Sequence, residues 1–271
     1  MRLIDHLKAL GWSNRAAREA MQSGKVLWRG IPTADAAREI DPAEVQVEPN
    51  APRIVVGRDP FIRFRDAHLV VVWKPAGLLS VPAPGRRESH VLEFVGKRFG
   101  KAFAVHRLDE DTSGLILVAL DERTQSALKD QFERHGVDRR YLAICAGAVP
   151  RELRVESTLV RDRGDGLRGS GAGGKPAITH FFLRERLSGS SLVEARLETG
   201  RTHQVRIHLS ERGHPILGDP LYGGPGVARR APRLALHAFF LQFEHPSGGK
   251  HTFEVPLADD IEALRRNLRP P

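Results

Sequence analysis

The sequence predicts an α+β chain in which a small N-terminal α/β unit precedes a larger domain built on a substantial mixed, largely antiparallel sheet. From Ile62 onward short apolar runs dominate: Leu69 to Trp73, Leu115 to Leu120, Tyr141 to Cys145, Leu192 to Leu197 and Leu234 to Phe243. Gly, Pro and Asp turns bound them, which is the signature of strands. A few helical patterns intervene, and together these place the domain in the α+β class. A length of 271 residues suits such a domain with a smaller one attached, since domains run ~100–200 residues.

At the N-terminus Leu3, Ile4, Leu7 and Leu10 recur at helical spacing and Gly11 closes the turn. Ser13 can cap a second helix through Ala16, Ala17, Ala20 and Met21 to Gly24. Lys25-Val26-Leu27-Trp28 then reads as a strand ending in a turn at Arg29-Gly30. Arg15, Arg18, Lys25 and Arg29 lie near the second helix and the strand, where they can form one basic face, although most charge runs are simply solvated. Leu10-Gly11, Ser13-Asn14-Arg15, Gly24-Lys25-Val26 and Gly30 resemble the S4 RNA-binding domain, with Trp28-Arg29 in place of its usual small polar residues.

Pro, Asn and Gly between Glu48 and Pro60 suit a linker that carries a final strand at Ile54-Val55-Val56. The expected organisation is an S4-like unit over residues 1–52, a linker over 53–62 and a larger domain over 63–271. Within that domain Asp121 caps a helix with Glu122 in its first turn, Leu128 and Phe132 on one face and Gly136 as C-cap. Another helix is expected after Arg201, with Thr202 as N-cap, Val205 and Leu209 on one face, and Gly213 as terminator. Gly164 to Gly174 reads as a mobile loop.

The net charge is +9 and the isoelectric point about 10.3. Such a balance favours a polyanionic partner, through phosphate neutralisation and counterion release. The single cysteine, Cys145, has no mate, which excludes an intrachain disulfide and a cysteine metal cluster. No stretch approaches the ~20 apolar residues of a membrane span, and Met1 to His6 lacks the apolar core of a signal peptide. The expectation is a cytoplasmic chain, monomeric by default.

Two segments carry chemistry. Val105-His106-Arg107-Leu108-Asp109-Glu110-Asp111-Thr112-Ser113-Gly114 places three carboxylates and two cationic or titratable groups in a polar turn before a buried strand. Loops held by strands are where catalytic groups sit. Leu197 to Leu209 then brings Arg201 to the mouth of a helix N-terminus, where a guanidinium is well placed to hold a carboxylate ionised. His203 and His208 are five apart and diverge by about 140° on a helix, so they do not make a metal pair.

Together the segments resemble the RluA-type pseudouridine synthases, through His106-Arg107-Leu108-Asp109, Thr112-Ser113-Gly114 and Gly200-Arg201-Thr202-His203-Gln204-Val205-Arg206-Ile207-His208. Further matches follow in order, among them Trp73-Lys74-Pro75-Ala76-Gly77, Arg140-Tyr141-Leu142-Ala143, Gly218-Asp219 and Leu234-Ala235-Leu236-His237-Ala238. The resemblance implies the pseudouridine synthase fold and isomerisation of uridine to pseudouridine in structured RNA. It implies Asp109 as catalytic carboxylate, Tyr141 at the site and Arg201 as the partner of the aspartate. Arg107 would fill the stack as the uridine flips out, Leu236 and His237 would shape the uracil pocket, and Lys74 is counted with the RNA-contacting cations.

Such an isomerisation needs no cofactor and no metal, because no electrons or groups are exchanged. Large-subunit ribosomal RNA is the favoured target and transfer RNA the alternative. The rival reading is an inactive RNA-binding or ribosome-assembly protein of the same fold. A hydrolase with two carboxylates is a weaker rival, because Glu110 and Asp111 follow Asp109 too closely to flank a bond.

Overall fold

The computed structural model describes residues 1–51 and 53–270; Pro52, on which the expected boundary falls, lies outside them. The N-terminal unit begins with α1 (Leu3–Ala9) and α2 (Asn14–Gln22), the latter capped by Ser13, whose hydroxyl accepts from the Ala16 amide. Three short strands follow, β1 (Val26–Trp28), β2 (Ile31–Pro32) and β3 (Val45–Val47), in the antiparallel order β2-β1-β3. Leu3, Leu7, Ala17, Met21 and Val26 form its core. Ile54 to Val56 is not the expected strand. The segment lies against the end of α2, with Ile54 and Val56 amides donating to Ser23 and Gln22, and β3 is the last strand of the unit.

The larger domain opens with β4 (Phe61–Arg65), two residues inside the expected linker, and β5 (Leu69–Lys74). It continues through α3 (Val91–Phe99), β6 (Phe103–Ala104), β7 (Ser113–Ala119), α4 (Glu122–Glu133), β8 (Asp138–Ala146) and β9 (Glu152–Val160). Then come β10 (Gly169–Ser170), β11 (Lys175–Leu187), β12 (Ser190–Leu197), α5 (Gln204–Glu211), α6 (Gly224–Ala228), β13 (Leu236–Glu244), β14 (Lys250–Glu254) and α7 (Asp259–Asn267). The strands make one 11-stranded sheet of order β10-β9-β11-β12-β8-β13-β7-β5-β4, with β14 beside β13 and β6 beside β7.

Every pairing in this sheet is antiparallel except one, β13 with β7, where His237 and Ala238 face Ser113 and Gly114. Both faces are covered around that seam, which is why β5 and β7 read as unbroken apolar runs. Val70 and Val72 face a core shared with α3, α5 and α7, while Leu69, Val71 and Trp73 face one shared with α4. At the seam the strands come very close. Gly114 has a φ of 118°, and a Cβ there would overlap the Ala238 carbonyl, so only glycine fits.

Two helix ends differ from expectation. The first, α4, has the expected Asp121 cap, 2.7 Å from the Thr124 amide, but it is His135, not Gly136, that turns left-handed after it. The second, α5, starts one residue later than expected, because His203 takes a left-handed conformation and the Gln204 side chain accepts from the Arg201 amide in place of a Thr202 cap. The glycine-rich stretch is a small flap rather than a free loop: β10 pairs with β9, and Glu211 accepts from the Ser170 amide and hydroxyl.

The N-terminal unit docks on the larger domain. Asp259, at the start of α7, accepts from the Thr33 hydroxyl, the Ala34 and Asp35 amides and the Arg38 guanidinium at 2.6–3.1 Å. Arg266 pairs with Asp35 at 2.6 Å, and Ile31 joins the core over β5 and β7. Among the described residues no helix is long and apolar enough to cross a membrane.

Candidate active site

The seam between β13 and β7 decides where the chemistry sits. The chain reaches β7 through a turn, residues 106–112, whose end must bend to enter a parallel pairing. Three anchors hold that turn. The Ser80 hydroxyl donates to the Leu108 carbonyl at 2.7 Å and accepts from its amide at 3.0 Å. The Lys74 ammonium donates to the carbonyls of Glu110, Leu78 and Pro75 at 2.7, 2.7 and 2.9 Å. His106 stacks on Phe132 and its Nε2 accepts from the Leu117 amide at 3.0 Å, a contact that requires the neutral ring. Burial pushes His106 down to about 3, in keeping with that role.

Held in this way, Asp109 enters a cavity of about 170 Å³ lined by Arg107, Leu108, Thr112, Arg139, Tyr141, Leu197 and the loop from Gly200 into α5, with Leu236 behind. Asp109 is its only carboxylate among the described lining residues, against four arginines. Tyr141 projects from β8, one strand beyond β13, where Ala238 and Ala195 are its neighbours. Burial pushes its phenol pKa up, so the hydroxyl keeps its proton.

The arginine against Asp109 is Arg206, not Arg201. Its Nη1 lies 3.2 Å from the Asp109 carboxylate, while its Nε and Nη2 form a two-pronged pair with Asp219 at 2.8 Å each. Asp219 is fully buried and also accepts from the Leu221 and Tyr222 amides. Burial works against both charges, but their mutual hydrogen bonds outweigh it, raising the Arg206 pKa and lowering that of Asp219. The result is a rigid cation aimed at Asp109. Arg201 lines the same cavity but its Nε donates to the Pro176 carbonyl, because it precedes α5 while Arg206 lies within it.

His203, set aside with the metal, completes the group. Its Nε2 is 3.8 Å from Asp109 and its Nδ1 is 2.9 Å from the Tyr222 hydroxyl, and burial lowers its pKa against the opposing pull of Asp109. His208 points elsewhere, between Ser157 and Thr179.

Other expected residues fall apart from the cavity. Lys74 is fully buried, with an ammonium hydrogen for each of three carbonyls, so it pins the turn and cannot reach RNA. Burial pushes it down to about 7, with Asp111 and Asp109 pulling the other way. His237 alternates with Leu236 along β13 and therefore faces away, its Nδ1 2.8 Å from the Ser113 hydroxyl. Arg107 is exposed at the rim. On the N-terminal unit Arg15 and Arg18 are exposed and Lys25 is half-buried, whereas Arg29 is held by Glu44 at 2.8 Å. Arg206 and Asp219 both stood in the matching motifs, but nothing local marks a pair 13 residues apart.

A family model described as RNA pseudouridylate synthase matches residues 68–211, a span that holds Asp109, Tyr141 and Arg206. Ribosomal large subunit pseudouridine synthase D of Neisseria meningitidis is 38% identical over 247 residues, 83% of this chain and 66% of that one. The chain thus spans just under two thirds of that relative. An uncharacterized RNA pseudouridine synthase of Bacillus subtilis, YlyB, is 34% identical over 275 residues, 95% of this chain and 90% of its own length. Among solved structures, human RNA pseudouridylate synthase domain containing 1 superposes with a TM-score of 0.62 at 25% identity, over 81% of this chain and 100% of that one. The family model spans more than half of the sequence and the fold agrees, so this chain belongs to the RNA pseudouridylate synthase family.

Proposed function

We propose that this protein converts uridine to pseudouridine in structured RNA, with Asp109 as its catalytic carboxylate and no cofactor. The observation that carries the reading is the single carboxylate, aimed by Arg206, in a cavity whose other charged lining groups are cationic. A basic mouth suits a polyanion. One carboxylate suits an isomerase better than a hydrolase, because Glu110 turns away to Arg86 at 2.6 Å and leaves no second acid across the cavity among the described residues.

The target uridine must leave its stack to reach Asp109, at a cost of a few kcal/mol, and the exposed Arg107 is placed to fill the gap. Asp109 then removes the C2′ proton and the C1′–N1 bond breaks, leaving a glycal and a uracil anion. Tyr141 stacks on the uracil as it turns. C5 joins C1′ while Asp109 returns the proton to C2′; the C5 proton leaves through water, with the Tyr141 hydroxyl as a relay that gives up its own proton as it takes another, and N1 takes one up. Atoms balance without a donor or an oxidant.

For the target we favour large-subunit ribosomal RNA, after which the Neisseria meningitidis relative is named. The S4-like N-terminal unit, with Arg15, Arg18 and Lys25 free of carboxylate partners among the described residues, would hold that RNA beside the cavity. The single buried thiol of Cys145 suits the cytoplasm. The test is nucleoside analysis of ribosomal and transfer RNA from cells lacking the protein, before and after incubation with it. Gain of pseudouridine in large-subunit RNA alone is expected; gain only in transfer RNA would transfer the assignment, and gain in neither, with tight RNA binding, would favour the assembly-factor reading.

A further inference from the structure

Among the described residues, Arg139 is a cation without a counterion. It precedes Tyr141 by two on β8, so both side chains leave the same face of the strand. Its guanidinium lies 4.9 Å from the centroid of Phe132, on α4. The Nη atoms press on Gly200, where an added Cβ would stand 2.6 Å from Nη1. Its Nε is closed off from solvent with no hydrogen-bond partner. The charges it feels are those of Tyr141 and Arg201, and burial lowers its pKa. Of the other arginines that line the cavity, the buried Arg206 has two acids, the half-buried Arg201 donates to a carbonyl, and Arg107 is exposed. An unpaired charge held this way is destabilising unless something entering the cavity completes it.

The order of groups says what enters. Along β13 the turn that carries Asp109 lies before the level of His237, where β7 begins its pairing, Tyr141 is level with Ala238 and Arg139 with Leu241. Tyr141 thus stands between Asp109 and Arg139, and all three line the one cavity. With the ribose at Asp109 and the base against Tyr141, the far edge of the uracil, with its carbonyl oxygens, faces Arg139. When C1′–N1 breaks, the electron pair stays on the uracil and its charge spreads over N1, O2 and O4. That charge is consumed when C5 attacks C1′ and the C5 proton leaves.

We propose that Arg139 is a catalytic residue that binds the uracil carbonyl edge and stabilises the uracil anion released as the glycosidic bond breaks. This rests on the isomerase reading above. The fixed donor acts where charge develops and is worth little in the ground state.

The experiment compares wild type, Arg139→Met and Arg139→Lys in single turnovers at saturating RNA, using one RNA carrying uridine and one carrying 5-fluorouridine, whose more acidic base is a better leaving group. Loss of the N-glycosidic nucleoside, the RNA Kd with its salt dependence, and the melting temperature are read. Arg139→Met is expected to slow uridine cleavage by ~10²-fold, with the deficit falling to ~10-fold or less for 5-fluorouridine and Kd within about threefold. Arg139→Lys should recover much of the rate. Since Met removes an unpaired charge, that variant should melt at or above the wild-type temperature. An equal deficit for both bases, or a lowered melting temperature with it, would make Arg139 merely structural. An unchanged rate with weaker binding and a salt slope reduced by about one would make it a phosphate contact. A wild type inactive on every RNA would defeat the isomerase reading, and this one with it; an active wild type beside an equally active Arg139→Met would defeat this one alone.

Discussion

Arg206 joins two carboxylates, and its removal does two separable things. Asp219 is fully buried, and without its two-pronged partner it becomes an uncompensated charge, at a cost of ~3–5 kcal/mol of stability. Asp109 loses the cation that aims it. At 3.2 Å and an effective dielectric of about 20 the direct attraction is ~5 kcal/mol. Asp109 is partly open to solvent, so screening reduces that figure, and the expected rate loss is that of removing one preorganised donor, ~10²–10³-fold. Arg206→Met alone mixes the two effects. In Arg206→Met/Asp219→Asn the buried charge goes as well, and the amide oxygen still accepts from the Leu221 and Tyr222 amides. The double variant should therefore melt within a few degrees of wild type, yet stay ~10²–10³-fold slow in single-turnover pseudouridine formation at saturating RNA. Arg201→Met, whose Nε meets only a carbonyl, should lose less than ~10-fold by the same measure of transition-state loss. A wild-type rate in the double variant, or a larger loss in Arg201→Met, would refute the assignment of Arg206.

Burial holds His106 and His237 at about 3 and His208 at about 4, below the ~6.5 of an unfolded histidine. The unfolded chain therefore binds more protons in that interval, and stability that is complete above pH ~6.5 falls as pH drops, by up to ~1.4 kcal/mol per unit for each group; urea midpoints that stay level from pH 7 to 5 would contradict this. Gly114→Ala should destabilise by at least ~2 kcal/mol, because φ and the Ala238 carbonyl both oppose a Cβ, and a wild-type melting temperature would show that the seam opens freely. Lys74→Met strips a donor from the Glu110 and Leu78 carbonyls, so the rate at saturation should fall with RNA affinity unchanged; the reverse pattern would return Lys74 to the RNA-contacting cations. Asp259→Ala should release the N-terminal unit, seen as trypsin cleavage after Arg53 or Arg58 under conditions where the wild type resists it, and equal resistance would show that the Ile31 contact alone suffices.

The strands nearest the site were legible because burial on both faces turns β5 and β7 into continuous apolar runs. By contrast β9 has one solvated face and alternates exposed with buried positions, so no run betrays it. In the site, the polar turn before a buried strand marks the neighbourhood of Asp109, but only the resemblance singles out Asp109 within it and Tyr141 beyond it, since a tyrosine in a strand is ordinary. Arg206 does not: its meaning comes from Asp219, which only the tertiary fold brings to α5. Strand alternation accounts for His237, since a residue next to one that lines the cavity must face the other side. Lys74 reads as a surface cation in one dimension, and only three converging carbonyls explain a lysine at the end of a buried strand. The parallel seam has a sequence trace in Gly114, but a glycine after a serine reads as an ordinary turn until Ala238 is seen against it.

Catalysis by Asp109 is tested most directly by tritium release from RNA labelled at uracil C5, with wild type beside Asp109→Asn, both shown to bind RNA and to melt alike. Release by the wild type, matched by pseudouridine formed, with release by Asp109→Asn at least ~10³-fold slower, is the result expected of a carboxylate that makes the C1′–N1 bond break. Undiminished release by Asp109→Asn would place the chemistry on another residue, and no release by the wild type would take the chemistry away from this cavity altogether.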